Sequence, residues 1–413
     1  MEFSSDRRVL IFILFVYVAF MFYSPQNISH HRKAEWWVGV PTSFYGDGQR
    51  YYQLTREIAD NGRLNVFDDV SGLKNPISLS RGVGGRVYIT HSPGLSFLGV
   101  PFYILLREPG LYLLNVLLGW LTCVFIYYTC ELYVTKDSAA KTTMFFGLGT
   151  MMFTYSEVFY ADILSAALVS GSFYFMLRYS KLGGLRHMVY SGLLAGLMPL
   201  SKPTLVSLAF VLALYAAYKR GFKAVGFFAL GFILLGWVFI AYNMVCFGMP
   251  FMTGYNTTLQ SLNGELTLID HTSSYFWSNN LMKTVPLMVL ILVMTQPIVL
   301  ASVVGILKEK RDENSVVAIS VVILLLIYGR FFSPLGTWCW SVRYLLPALP
   351  LLALPFSFSY ERELVPHYLV WALFYISLLL TILSLAPAVW HAFSGMSLVE
   401  MANLNPLIKP NMV

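Results

Sequence analysis

Long apolar blocks alternate with short polar breaks along this chain: residues 8–24, 110–133, 141–157, 161–178, 188–201, 203–218, 224–245, 284–306, 315–331, 343–359 and 367–390. A helix that crosses a bilayer needs about 20 mostly apolar residues, because it must satisfy its own backbone hydrogen bonds where there is no water. The pattern predicts an all-α polytopic membrane protein with about eleven transmembrane helices, most of them joined by short loops.

The exception is a long first loop, residues 25–109. Within it, residues 49–60 place Tyr51, Leu54 and Ile58 on one helical face and Arg50, Gln53, Arg56, Glu57 and Asp60 elsewhere, with Asn61-Gly62 as a stop. This short amphipathic helix is too polar to span and is expected to lie along the membrane surface, its aromatic side in the lipid boundary. Residues 63–92 mix turn formers with short alternating pieces such as Arg86-Val87-Tyr88-Ile89-Thr90, which predicts a small hairpin or an irregular cap. The apolar stretch from Pro93 to Tyr103 is short and broken by Pro101, so an interfacial or re-entrant helix is expected there.

Composition agrees with the pattern. The chain of 413 residues is 57% hydrophobic and 12% charged, with a mean hydropathy of +0.64; soluble domains carry about 25% charged residues. The first span follows Arg7-Arg8, and Phe22-Tyr23-Ser24-Pro25 offers no small-residue cleavage site, so it reads as an uncleaved signal anchor with a cytoplasmic amino terminus. Alternating spans from that start put Lys136 and Lys141, then Arg178, Lys181 and Arg186, then Lys219, Arg220 and Lys223, then Lys308, Lys310 and Arg311 on the cytoplasmic side. That is the positive-inside pattern, and it leaves the long loop outside. The net charge of +7 follows from this topology and the anionic inner leaflet, which excludes a nucleic-acid partner from the reading. Cys123, Cys130, Cys246 and Cys339 show no CxxC or CxxH spacing and read as packing thiols.

A single acid, Asp47, stands in Tyr45-Gly46-Asp47-Gly48-Gln49-Arg50-Tyr51-Tyr52 at the start of the amphipathic helix. Together with His91-Ser92-Pro93-Gly94, the Pro-Phe-Tyr helix after it, and Ser341-Val342-Arg343-Tyr344-Leu345-Leu346-Pro347, it resembles the GT-C superfamily of integral-membrane glycosyltransferases. The likeness is greatest to the protein-mannosyltransferase and aminoarabinose-transferase branch. It implies an inverting enzyme that moves a sugar from a polyprenyl-phosphate carrier to a lipid, glycan or protein acceptor on the outer face. It also implies a second outer acid after the third span, where Tyr155-Ser156-Glu157-Val158-Phe159-Tyr160-Ala161-Asp162 offers Glu157 and Asp162. Residues 1–260 are then a catalytic transmembrane module including the outer loop, and 261–413 a set of carboxy-terminal transmembrane helices without a large soluble domain. A prokaryotic plasma membrane is the expected location.

Such a transfer needs a base at the acceptor hydroxyl, and Asp47 is the candidate; the competing role is an N-cap of the helix it begins. Glu157 or Asp162 would orient the acceptor, hold a cation or assist Asp47, against the plainer reading that both solvate a short loop. Charge developing on the departing lipid phosphate would be met by Lys202, Arg330 or Arg343, each of which interrupts an apolar outer boundary, with Tyr344 beside Arg343. Simple snorkelling explains the same positions. His30, His31, His91 and His271 face outward, and a divalent cation at Asp47 or Glu157 with His271 is an expectation that no ligand spacing supports. The loop 246–283, with Gly254-Tyr255-Asn256 and Tyr275-Phe276-Trp277, suits sugar contact or an interfacial aromatic belt equally. The rival function is a lipid or sugar transporter or flippase, and a third is an inactive structural relative. Mid-membrane acids and repeated halves, which transport would favour, are not seen in the sequence.

Overall fold

The computed structural model describes residues 8–21, 44, 46–70, 78–262, 265–270, 279–331, 333–336, 339–386 and 389. Its helices run in chain order as α1 (Arg8–Phe20), α2 (Asp47–Asn61), α3 (Gly94–Leu106), α4 (Glu108–Glu131), α5 (Lys136–Leu148), α6 (Met151–Ser156), α7 (Ala161–Leu182) and α8 (Leu185–Ser201). They continue as α9 (Val206–Arg220), α10 (Phe222–Phe247), α11 (Leu281–Thr295), α12 (Val299–Lys308), α13 (Asp312–Gly329), α14 (Leu349–Glu361) and α15 (His367–Ser384). Among the described residues, α4, α10, α13 and α15 are long and apolar enough to cross a membrane, and a fifth span is added if α11 and α12 count as one. The eleven spans of the hydrophobic pattern are therefore not all reproduced by length and apolarity. Part of the reason is burial: α7 is wrapped by protein nearly all round and buries Ser165, Ser170 and Ser172, so lipid does not dictate its composition.

Four expectations change. The block 284–306 is two helices, α11 and α12, meeting at a bend of 116°; Pro297 at the break cannot donate the amide a continuous helix needs. The block 141–157 is divided at Gly149-Thr150 into α5 and α6, with the Thr150 side chain capping the new start. The block 343–359 opens with a 3-10 segment, Arg343–Ala348, containing Pro347, before α14 begins. Finally, α2 does not lay its aromatic side in lipid: Tyr51, Tyr52 and Leu54 are buried in protein, and Phe44 stacks on both Tyr52 and Tyr112. An amphipathic pattern reports only that one face leaves water, not what covers it.

The expected hairpin exists as β1 (Leu79–Arg81) and β2 (Val87–Ile89), in antiparallel register Leu79↔Ile89 and Ser80↔Tyr88. It extends into a four-stranded sheet ordered β2-β1-β3-β4 through Ser80↔Thr258, where β3 (Thr258–Leu262) pairs with β4 (Glu265–Ile269). This small sheet corrects the all-helical expectation and ties the first long loop to the segment after α10. The helix ends sort into two groups. The ends carrying the basic loops are joined by polar contacts: Lys219 to Asp312, Tyr133 and Tyr215 to Glu313, Arg362 to Glu309, and Thr135 to Glu361. The opposite ends gather the sheet, α2 and the start of α3. The four cysteines are buried, and no disulfide joins them.

Candidate active site

Several local devices bring distant residues to that second end. Gly46, at φ 56°, turns the chain into α2 so that Asp47 becomes its first residue. The N-cap itself makes no side-chain hydrogen bond, and Asp47 is directed elsewhere. After β2, the chain reaches α3 across Gly94, where a Cβ would lie 2.5 Å from the Leu200 carbonyl oxygen; only glycine allows this approach of α3 to the end of α8. His91 and Lys202 thereby come to one region. Ser201 donates to the Ala161 carbonyl at 3.1 Å, which joins the end of α8 to the start of α7 and sets Lys202 beside Asp162. Asn115 of α4 holds the turn before α7 by donating to the carbonyls of Val158 and Tyr160. The Arg343 segment is braced by Tyr155, which bonds the backbone of Trp340 at 2.9 and 3.1 Å, and by Gln296 at the bend, which bonds both Met151 N and Ser341 Oγ.

The result is a charged cluster inside an apolar protein. Arg343 Nη2 lies 2.6 Å from Asp47 Oδ2, and His91 Nε2 lies 3.3 Å from Asp47 Oδ1. Lys202 Nζ pairs with Asp162 Oδ1. Aromatic rings wall the cluster: Arg343 lies over Tyr160 and Tyr344, each at 5.2 Å, and Lys202 lies 4.7 Å from the Tyr344 ring. Tyr344 stacks on Tyr328 at 4.6 Å, while His91 packs between Tyr51 and Tyr255. Arg343 is only 4% exposed, and its Nε and Nη1 have no hydrogen-bond partner among the described residues. Burial pushes the Asp47 carboxyl up, but the Arg343 guanidinium and the His91 ring outweigh it and hold the group well below the usual carboxylate range.

The sequence candidates thus divide. Asp47, His91, Asp162, Lys202, Arg343, Tyr344 and Tyr255 converge. Arg330 does not join by any described ion pair; its Nη1 is 3.4 Å from the Asn279 carbonyl oxygen. Glu157 is fully buried at the end of α6 and makes no described ion pair, its electrostatic neighbour being Tyr17 of α1. Both its carboxylate oxygens lack hydrogen-bond partners among the described residues. The expected metal set of Asp47, Glu157 and His271 includes a residue outside the described ones; among the described residues, no group of three His, Cys, Asp or Glu side chains is placed to hold an ion. His271, like His30, His31 and the 275–277 aromatics, lies outside the described residues. Tyr51, Tyr160 and Tyr328 were missed in the sequence. Tyr51 follows Asp47 by one helical turn and Tyr160 precedes Asp162 by two residues, so proximity to the acids was the available signal.

Comparison with known proteins fits this geometry. Residues 97–245 match the dolichyl-phosphate-mannose-protein mannosyltransferase family model. No curated protein matches the sequence. Among solved structures, ArnT from Cupriavidus metallidurans bound to undecaprenyl phosphate superposes with a TM-score of 0.56 at 14% identity, over 96% of this chain and 77% of that one. The apo state of the same protein gives 0.52 at 15% identity, over 95% and 76%. AglB, the oligosaccharyltransferase of Archaeoglobus fulgidus in complex with an inhibitory peptide and a dolichol-phosphate, gives 0.51 at 13% identity, over 95% of this chain and 56% of its own. The chain therefore spans little more than half the length of that archaeal enzyme. The resemblance read from the sequence holds in both the matched segment and the architecture: this chain has the fold of the GT-C integral-membrane glycosyltransferases.

Proposed function

We propose that the protein transfers a sugar from a polyprenyl-phosphate carrier to an acceptor hydroxyl, with inversion, at the outer end of its helices. The observation that carries this reading is the buried Arg343, whose Nε and Nη1 donors, unpartnered among the described residues, lie beside the Asp47 carboxylate. A guanidinium with free donors suits a phosphate, and a carboxylate next to it suits a hydroxyl proton. Lys202, a cation over the Tyr344 ring, adds a second charge for the leaving group. ArnT with undecaprenyl phosphate and AglB with a dolichol-phosphate support a carrier of the same class.

In the proposed step the acceptor oxygen attacks the anomeric carbon and its proton passes to Asp47. The bond from that carbon to the phosphate oxygen breaks, and its electron pair leaves on the polyprenyl phosphate. Arg343 links the two halves of the chemistry. While it is paired with Asp47 the carboxylate is a weak base; a phosphate that draws the guanidinium away restores basicity where it is used. Asp162 keeps Lys202 charged and in place. Residues 1–260 supply Asp47, His91, Asp162, Lys202 and Tyr255, while Arg343 and Tyr344 come from the second set of helices, so both parts of the chain build the proposed site.

The test is release of polyprenyl phosphate from a panel of polyprenyl-phosphate sugars, with a membrane lipid extract as acceptor, by wild-type protein and Asp47→Asn. Turnover that disappears in the variant is expected. Folded wild-type protein that turns over no donor would sink the transferase reading and favour transport or a structural role.

A further inference from the structure

From Ile163 to Gly264 the chain contains no Asp or Glu, yet Arg178, Lys181 and Arg186 crowd the turn between α7 and α8. Gly183 and Gly184, at φ 78° and 88°, fold α8 back along α7. That turn brings Arg178, Arg186 and His187 to one place, with both arginines as electrostatic neighbours of the His187 ring. The group lies at the end of the hairpin away from the charged cluster: Arg178 follows Asp162 on α7 by sixteen residues, about 24 Å of helix. No described ion pair involves any of the three, whereas Lys219, Arg311 and Arg362 at the same end each meet a carboxylate.

Two of these groups are also buried with hydrogen-bonding capacity unused. His187 is only 8% exposed, its ring parallel to that of Phe175 and edge-on to Tyr190. Its Nδ1 has no hydrogen-bond partner among the described residues. Arg178 donates from Nη1 to Tyr174 Oη at 2.6 Å, but its Nε is likewise buried and unpartnered among the described residues. No side chain caps α8 at Gly184, so the positive end of that helix opens on the same turn. A guanidinium donor, an imidazole and an uncapped helix start, with no carboxylate between them, suit a phosphate. Leu182 and Tyr190 beside them are exposed, and a phosphate that carries an apolar body to a helix end is that of a phospholipid. We propose that Arg178, Arg186 and His187 form a site for the phosphate of an anionic phospholipid, in the leaflet facing the basic loops. A soluble phosphate would meet the same donors but leave Leu182 and Tyr190 uncovered. The site stands apart from the transferase reading and does not depend on it.

The probe is phosphatidylglycerol, titrated into the full-length protein in neutral detergent, with bound lipid counted by native mass spectrometry. Phosphatidylcholine and inorganic phosphate are the comparisons. Phosphatidylglycerol is expected to bind at least about tenfold more tightly than phosphatidylcholine. Arg178→Gln and Arg186→Gln should each weaken that binding by about tenfold, the effect of one lost hydrogen bond between charged groups. Lys223→Gln, which removes the same charge from a neighbouring loop, should leave it unchanged. Arg186 is exposed, so its variant carries the test if Arg178→Gln does not fold. An equal loss in Lys223→Gln would reduce the site to the general attraction of basic loops for anionic lipid and overturn the proposal. Unchanged binding in Arg186→Gln, or phosphatidylcholine bound as tightly, would overturn it as well. Inorganic phosphate that displaces the lipid at the lipid's own concentration would give the site to a soluble phosphate instead.

Discussion

Replacing Asp47 by Asn should abolish transfer and tighten binding of the carrier phosphate. In the wild-type protein Nη2 of Arg343 is held by Asp47 at 2.6 Å, so a phosphate that takes the Nε and Nη1 donors shares one guanidinium with a carboxylate and sits close to its charge. A hydrogen bond to a charged group contributes about 1.5–3 kcal/mol, and each 1.4 kcal/mol is about a tenfold change in affinity. The Asp47 side chain is 18% exposed and partly screened, which points to the lower part of that range, about ten- to thirtyfold tighter binding. The same substitution leaves Arg343 buried without a full counter-charge. The free protein should therefore lose about 1–3 kcal/mol of stability and recover it when the phosphate binds. The assay is equilibrium binding of undecaprenyl phosphate to wild-type and Asp47→Asn protein in nanodiscs, with thermal unfolding measured with and without the lipid. Unchanged or weaker binding in a folded variant would refute the idea that carboxylate and phosphate compete for one guanidinium.

Asp162→Asn, which removes the counter-charge of the mostly buried Lys202, should lower stability by about 3 kcal/mol in detergent, whereas Glu157→Gln, at a buried acid with no described ion pair, should leave it unchanged or raise it by about 1 kcal/mol; equal losses in thermal unfolding would contradict the division of the two acids. Gly305→Ala would set a Cβ 1.9 Å from the Pro355 carbonyl oxygen, so α12 and α14 must part, at a cost of about 1–3 kcal/mol or more in the same measurement. The Asp47 carboxyl is depressed below its ordinary value of about 4, so its pairing contributes fully at neutral pH and is lost only as pH falls through that value towards the folded one. The stability difference between wild type and Asp47→Asn should accordingly be flat from about pH 7 to 5 and shrink below about pH 4, and a difference that already fades near pH 6 would point to another group.

The sequence determined the solvent and the rare chemistry. An apolar chain with few charges belongs in lipid, and in such a chain each acid or base near a helix end stands out because burying it is costly. Asp47, Asp162, Lys202, Arg343 and His91 were legible for that reason. What covers an apolar face was not: the Tyr51 side of α2 reads the same whether it meets lipid or, as it does, the interior. Nor were the pairs. Arg343 meets Asp47 across a separation of 296 residues, and nothing local to either position specifies the other. Nor could the sequence separate Glu157 from Asp162, since five residues around a turn decide which acid faces Lys202 and which turns towards α1. The break at Pro297 was visible as a proline, but the role of Gln296 beside it, bracing both Met151 and Ser341, needed the packed helices. Charge and hydropathy are properties of single positions and their near neighbours. A binding site is a set of distances between segments, and those are fixed only when close approaches such as that of Gly94 to Leu200 bring the helices together.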